Sequence, residues 1–350
     1  MKRYEKQIAL SEIGTHGQQK LAEAKVLVIG AGGLGCPVLQ HLAAAGLGCI
    51  GIVDADLVQE SNLNRQVLYT VNDIGKPKVM VASEAILKQN PEIKLAVYQC
   101  NFTEENAFGI ADGYDIIIDC TDNLIARYLI NDVALVLKIP MVYASVHRFE
   151  GQLSVFNYEL GPTYRCLFPE NENLNALNCD DSGVLGVLPN TIGILQATEV
   201  LKIILGIGSV LSGKLLIYDG LSAQIQTIEI PKNALAVQHG LLRGIDIHQR
   251  NSQAVKSVSK IDFMRFLHDD STIIIDLKET YEEAAIQAEN IVNVPIDQLE
   301  NYLEKYRKDQ KIILFCRFGN QSFQAANYLN KKGYTSVFHL ENGVATLIQK

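Results

Sequence analysis

Val26-Leu27-Val28-Ile29-Gly30-Ala31-Gly32-Gly33-Leu34-Gly35 is the stretch that decides the fold. A short apolar, β-branched run ends in a glycine-rich turn, and a helical pattern begins at Leu34. In an α/β protein such a turn sets a phosphate against a helix N-terminus, where glycines allow close backbone approach and the free N–H groups favour an anion. By itself the turn does not separate an NAD enzyme from an ATP enzyme. The residues around it do.

Outward from this turn, apolar strands alternate with longer helical segments as far as about Tyr218. That alternation predicts an α/β fold, a doubly wound, Rossmann-like and mostly parallel sheet. Strands are expected at Lys25–Ile29, Cys49–Val53, Lys94–Cys100, Tyr114–Asp119 and Pro140–Ala144, and helices at Leu34–Ala45 and Lys78–Gln89. Gln152–Tyr158 and Lys214–Asp219 read as antiparallel additions. Residues 231–259 turn polar with weak periodicity and read as a linker, which gives a first domain at 1–230. A smaller α/β unit follows at 260–350, with strands at Thr272–Asp276, Lys311–Phe315 and Ser336–His339.

The 350 residues suit two domains, and the 48% apolar fraction is ample for packed cores. A net charge of −8 argues against nucleic-acid coating and against an anionic membrane surface. No signal peptide follows Met1, and the apolar stretch Gly183–Ile207 is broken by Pro189, Asn190, Gln196, Glu199 and Lys202, so it reads as a buried helix. Seven scattered cysteines are not a disulfide framework, so a reducing cytoplasm is the expected setting.

Asp54 and Asp56 close the second strand, where this fold places an acidic residue on ribose hydroxyls. Ser61-Asn62-Leu63-Asn64-Arg65-Gln66 follows, and Gly75-Lys76-Pro77-Lys78 opens a helix. Hydride transfer has no need of these cations, whereas ATP cleavage moves charge onto departing phosphates that Arg and Lys must meet. Ile116-Ile117-Ile118-Asp119-Cys120-Thr121-Asp122-Asn123 ends the fourth strand at the ligand crevice. A carboxylate there can hold Mg²⁺ against phosphates, and Asp122 is the better placed because it lies past the strand end.

Arg3-Tyr4-x-Lys6-Gln7, GAGGLG, VDAD, SNLNRQ, GKPK and DCTDN, in this order, resemble the ubiquitin-activating-like superfamily and its bacterial MoeB/ThiF branch, over Lys2 to about Ile230. The resemblance implies ATP-dependent adenylation of a small ubiquitin-like sulfur carrier of the MoaD/ThiS type ending in Gly-Gly. It implies nucleotide contacts from Gly30, Gly32, Gly33, Asp54, Ser61, Asn64, Arg65, Lys78, Asp122 and Asn123. It also implies a homodimer in which Arg3 reaches the partner's ATP. The chemistry suits this residue set, because a glycine carboxylate is already ionised and its attack on the α-phosphate requires positioning and charge stabilisation, without a general base.

Cys179, in Asn178-Cys179-Asp180-Asp181-Ser182-Gly183-Val184, matches a family setting for the thiol that takes the activated carrier; the alternative is an incidental loop cysteine. Cys36, Cys49, Cys100 and Cys120 lie among apolar residues and read as small core residues. Many relatives hold a structural zinc with two Cys-x-x-Cys pairs. Here Thr163 and Cys166 stand where the first pair would be, and after Ile230 the next cysteine is Cys316, so zinc is not expected; His239 and His248 are the fallback ligands.

Ile312-Ile313-Leu314-Phe315-Cys316-Arg317-Phe318-Gly319-Asn320-Gln321-Ser322 carries the signal of the C-terminal unit. A buried strand ends at a cysteine, and a glycine-containing loop leads into a helix expected over Phe323–Leu329. Loop amides, a helix N-terminus and Arg317 would all stabilise a thiolate or persulfide at Cys316, with Gly319 and Ser322 completing the loop. The unit resembles a rhodanese domain, and Gly333–Gly343 matches that family's closing strand and turn. It departs from the family at Asp276-Leu277-Lys278, near Gln287–Val294, and at Gln321, where an Arg is common.

Together the two resemblances imply a carrier-adenylating enzyme whose second domain supplies sulfur received from a donor such as a cysteine desulfurase, giving a carrier thiocarboxylate. The alternatives are a nucleotide-binding adaptor with a degenerate rhodanese docking domain, and an NAD-dependent oxidoreductase. Molybdopterin, thiamine and tRNA thiolation remain open as pathways.

Overall fold

The computed structural model describes residues 2–169, 183–267, 269, 271–277, 288, 290–316, 319–341 and 343–344. The chain forms two compact units, Met1–Thr103 with Ala111–Gly244, and Glu104–Ile110 with Ile245–Lys350.

The larger unit is organised on eight strands: β1 Lys25–Ile29, β2 Cys49–Val53, β3 Lys94–Tyr98, β4 Ile116–Asp119, β5 Met141–His147, β6 Glu150–Phe156, β7 Lys214–Asp219 and β8 Gln224–Glu229. Their order is β3-β2-β1-β4-β5-β6-β7-β8. The first five are parallel, with Ile29 in register with both Val53 and Asp119. The last three continue antiparallel, β5–β6 and β7–β8 as hairpins, so the expected antiparallel additions are present and β8 extends them by one strand. Val26, Leu27 and Val28 are fully buried, as near-continuous apolar runs should be in a sheet covered on both faces.

The chain leaves β1 toward β2 and β3, then returns across β1 to β4. That reversal opens a crevice at the C-terminal ends of β1 and β4, the usual ligand site of a doubly wound sheet. Gly30 takes φ +99°, and an added Cβ would stand 2.6 Å from the Cys120 carbonyl oxygen. Gly35 starts the helix Gly35–Ala45 so close to the turn that its Cβ would meet the Gly30 carbonyl oxygen at 2.0 Å. Both glycines are required by approach distance.

The apolar helix Val187–Leu205 is long and apolar enough to cross a membrane by length and composition, yet it packs on the Gly35–Ala45 helix and on β5 and β6. Its polar residues are used internally: Gln196 Nε2 donates to the Asp119 carbonyl at 2.7 Å and to the Val142 carbonyl at 3.1 Å, and Glu199 accepts from Leu211 N at 2.9 Å. The expected buried helix is therefore half right, since Val187 and Ile194 on its other side are 62% and 42% exposed.

The stretch read as a linker is structured. Ala234–Ala254 forms a helix, and Lys256–Val258 forms β9 in the second sheet. Asn233 Oδ1 accepts from Leu235 N and Ala236 N and so caps that helix, and the side it buries carries Gly240, Gly244 and Ile247, a small-residue face that shows no apolar period.

The smaller unit adds β10 Ile273–Asp276, β11 Ile291–Asn293, β12 Ile312–Phe315 and β13 Val337–Leu340. Its five strands are all parallel, in the order β11-β10-β12-β13-β9. Alternate residues of β10 and β12 feed two cores, Ile275 and Leu314 on one side, Ile274, Ile313 and Phe315 on the other.

Asp132, fully buried in the helix Leu124–Leu137, takes Arg165 Nε and Nη2 on its two oxygens at 2.7 Å each. Removing one member of a buried pair strands the other charge. Asp132→Ala is expected to cost the larger unit about 3–5 kcal/mol, read from its urea transition, while Asp132→Leu with Arg165→Met recovers much of that loss.

Candidate active site

A cavity of about 720 Å³ occupies the crevice of the larger unit. Gly30, Gly32 and Gly33 line one wall, Asp54, Asp56 and Lys78 another, and Cys120, Thr121, Asp122 and Asn123 a third, with Arg65 at the turn. Sequence reasoning therefore gathered most of one site from five separate segments. The volume is in the range of small-molecule pockets. A nucleotide fits this donor set: open glycine backbone, cations for phosphates, and carboxylates for ribose and metal.

Asp54 is one residue past β2 and accepts from Ala31 N and Asp56 N, each at 2.8 Å. Its carboxylate thus braces the glycine turn while facing the cavity. Burial raises its carboxyl above the usual range, partly offset by these two amide bonds. Lys78 is buried, opens the helix Lys78–Gln89, and holds its ammonium 2.8 Å from the exposed Asp56 carboxylate.

Ser61 and Asn64 differ from expectation. Neither lines the cavity; instead the Ser61 carbonyl and the Asn64 side-chain oxygen each accept from Arg65 Nη1 at 2.9 Å. They aim Arg65. Asn123 lines the cavity, but its Oδ1 accepts from Ile125 N and Ala126 N and so caps the Leu124–Leu137 helix. Arg3 is also outside the cavity, exposed and donating to the Gln89 carbonyl at 2.7 Å. Asp122 is exposed on the cavity wall, as expected for a carboxylate past the strand end.

Several lining residues escaped the sequence reading: Gln66, Asn101, Phe102, Arg127, His147 and Pro189. Arg127 had a legible signal, a lone cation among apolar residues of a helix that starts beside DCTDN. It is 7% exposed, 3.5 Å from the fully buried Asp119, and donates to the Thr121 carbonyl at 2.8 Å.

The thiols sort by burial. Cys36 and Cys120 are buried, and burial pushes Cys36 up to about 12 and Cys120 well above the ordinary thiol value. Cys49 and Cys100 are only half-buried, a correction to their reading as core residues, and Cys100 lies on the cavity wall. Cys179 lies outside the described residues. Cys166 Sγ accepts from Thr163 N and Asn233 N at 3.4 Å each, so hydrogen bonds join the segments where two cysteine pairs would stand. Among the described residues no group of three or more His, Cys, Asp or Glu side chains is placed to hold a metal.

In the smaller unit Cys316 follows β12, buried, with Ser322 N donating to its sulfur at 3.4 Å. Gly319, at φ +88°, precedes the helix Asn320–Lys331, and Ser322 Oγ donates to the Gly319 carbonyl at 2.8 Å. Arg317 lies outside the described residues. His339 on β13 meets the Gly319 backbone and stacks edge-on against Phe323 at 5.2 Å.

Family models place the chain without ambiguity. The ThiF family model matches residues 4–237, and the rhodanese-like domain model matches 260–349. The chain belongs to the ThiF family and carries a C-terminal rhodanese-like domain; its class is adenylyltransferase joined to sulfurtransferase. It is 36% identical to the adenylyltransferase and sulfurtransferase MOCS3 of Drosophila virilis, over 98% of this chain and 82% of that protein. It is 38% identical to a probable molybdopterin-synthase adenylyltransferase of Porphyra purpurea, over 98% and 92%. A sulfur carrier protein adenylyltransferase of Thermus thermophilus is 46% identical over 66% of this chain and 88% of its own length. In fold, the chain resembles E. coli MccB crystallised with ATP, at TM-score 0.58 and 23% identity over 67% of this chain and 73% of that one.

Burial lowers the His339 pKa from 6.5 to about 4, and its Nδ1 is buried without a hydrogen-bond partner. The unfolded chain then binds the proton more readily, so this contribution to stability is present above pH 6.5 and is lost as pH falls toward about 4. His339→Phe is expected to flatten that part of the pH–stability curve of the smaller unit, measured by urea unfolding from pH 7 to 4.

Proposed function

We propose that this protein adenylates the C-terminal glycine of a small ubiquitin-like sulfur carrier ending in Gly-Gly, and then converts that terminus to a thiocarboxylate with sulfur carried on Cys316. The observation that carries the first half is the convergence of the glycine turn, Arg65, Lys78 and Asp122 on one cavity at the sheet's reversal point. The carrier carboxylate attacks the α-phosphorus of ATP, the bond to the β-phosphate breaks, and pyrophosphate leaves. The glycine turn and the start of the Gly35–Ala45 helix cradle phosphate, and Arg65 with Lys78 meets the charge that accumulates on the leaving group. Asp54 is placed for the ribose. Mg²⁺, when bound, neutralises phosphate charge, and Asp122 is the carboxylate placed to hold it.

In the second half the outer sulfur of a Cys316 persulfide attacks the acyl carbon and AMP leaves. A further thiol then cuts the sulfur–sulfur bond, releasing the thiocarboxylate and leaving a disulfide. Cys179 is the candidate thiol. The sulfur enters from a donor such as a cysteine desulfurase.

The names of the relatives favour a molybdopterin-synthase carrier over a thiamine carrier. A cytoplasmic homodimer is part of the same reading. Its support is an apolar set on the larger unit, Leu185, Val187, Ile194 and Leu221, exposed by 39–73%, together with the exposed Arg3 that would complete a partner's cavity. An adaptor without catalysis accounts poorly for Arg65 aimed by two oxygens, and an oxidoreductase has no use for the Arg65 and Lys78 pair.

Carrier-dependent exchange of pyrophosphate into ATP tests the first half. Asp122→Ala is expected to lower it by 10²-fold or more, on the order of what one electrostatic stabiliser contributes, with an unchanged urea transition. NAD binding without ATP binding would overturn the assignment.

Cys316→Ala is expected to leave that exchange intact and to abolish thiocarboxylate formation from a desulfurase persulfide. Mass spectrometry of the protein after incubation with the donor locates the added sulfur; finding it on Cys179 with Cys316 unmodified would reverse the roles of the two thiols.

A further inference from the structure

The loop that presents Asp122 is held at each neighbouring residue. Asp119 Oδ1 accepts from Thr121 N at 2.9 Å and from Thr121 Oγ1 at 2.7 Å. The Asp119 carbonyl accepts from Gln196, the Thr121 carbonyl accepts from Arg127 Nη2, and Asn123 caps the helix that follows. Behind the loop lie two buried charges, Asp119 at 0% exposure and Arg127 at 7%, with Arg127 Nε 3.5 Å from Asp119 Oδ2. Neither of those two atoms has a hydrogen-bond partner. Their attraction is coulombic, strengthened by the low dielectric around it, and is not fixed by hydrogen-bond geometry.

This pairing has a consequence for Asp122. Arg127 lines the same cavity and already holds the carbonyl of Thr121, the residue before Asp122. A guanidinium cannot shed its charge, and once buried it takes whichever carboxylate is within reach. Two carboxylates lie on its side of the loop, Asp119 buried at 3.5 Å and Asp122 on the wall of the cavity that Arg127 also lines.

We propose that Asp119 and Arg127 are positioning residues: Asp119 neutralises Arg127 and so keeps the guanidinium from capturing Asp122, which stays open to a divalent cation. The proposal rests on the Mg²⁺–ATP reading of the cavity and deepens it. Thr121 is the lever, since Asp119 and Arg127 grip its amide, hydroxyl and carbonyl and thereby set the direction in which Asp122 leaves the loop.

The test titrates Mg²⁺ at fixed ATP on the full chain, reading both thermal stabilisation of the larger unit and pyrophosphate exchange. Asp119→Asn keeps the acceptor for Thr121 but removes the charge that neutralises Arg127, and is expected to raise the Mg²⁺ half-saturation by about tenfold or more in both readouts. Asp119→Asn combined with Arg127→Gln removes the competing cation and is expected to recover most of that loss, leaving a few-fold deficit from the missing Thr121 bond. A pair that served stability alone would give no such recovery of Mg²⁺ response. Equal impairment of the single and double variants, or an unaltered Mg²⁺ response in Asp119→Asn, would overturn the proposal. If Asp119→Asn does not accumulate folded, the double variant decides, a few-fold deficit supporting the proposal and a tenfold one overturning it. A wild-type chain that ATP and Mg²⁺ fail to stabilise would overturn the nucleotide reading itself, which separates that failure from failure of the positioning role.

Discussion

The larger unit depends on how closely β1 approaches the end of β4. At Gly30 the backbone passes Cys120 with no room for a Cβ, and Gly35 must in turn clear the Gly30 carbonyl. Strand, turn and helix are thereby compressed into a few residues, and the glycine turn lines the crevice between β1 and β4. Everything polar in the cavity is placed relative to that turn. Asp54 braces it through the Ala31 amide, and Gln196, reaching from the Val187–Leu205 helix, fixes the facing strand end through the Asp119 carbonyl.

Charge is distributed by burial. Asp119 and Asp132 are fully buried and each is paired with an arginine, so their roles are internal. Asp122 and Asp56 are exposed on the cavity wall, where the cost of staying ionised is small and a cation can be exchanged. Asp54 lies between these limits, its carboxyl raised by burial and brought back by two amide donors. A site for polyphosphate needs carboxylates that can give up one cation and accept another, and only the exposed ones meet that condition.

Much of this was legible in the sequence because a buried parallel strand is short, apolar and bounded by turn residues. Lys25–Ile29 and Cys49–Val53 have the expected ends to the residue. The glycines, Arg65, Lys78 and Asp122 were legible because their chemistry is local: each lies within a few residues of a strand or helix end. What escaped was tertiary. Arg127 and Asp132 were not singled out, because the partners that explain them, Asp119 on the preceding strand and Arg165 far along the chain, are met only in the fold. The Ala234–Ala254 helix escaped because its C-terminal part, from Asp246 on, is mostly polar and masks the apolar residues nearer its start. β8 escaped for a related reason, since all of its residues are exposed and an edge strand without a buried face shows no alternation of burial.

The same local solution appears at the second site. At Cys316, as at Ile29, a buried parallel strand ends, a glycine with positive φ turns the chain, Gly319 at +88° as Gly30 at +99°, and a helix begins within a few residues. In both places a helix begins with its positive dipole end toward whatever lies beyond the strand. Ser322 N already donates to the Cys316 sulfur. The two sites differ in what the strand end supplies. The first offers bare backbone and receives a phosphate from outside, with cations brought in from other segments to meet its charge. The second offers a covalent thiol and needs the amides only to hold the charge that sulfur acquires when it is loaded. A polyphosphate carries several charges and moves during the reaction, so it demands Arg65 and Lys78 from distant segments. A persulfide carries one charge and is tethered, so a single loop suffices, which is why the second site was readable from eleven consecutive residues, Ile312–Ser322, and the first only from five separate stretches.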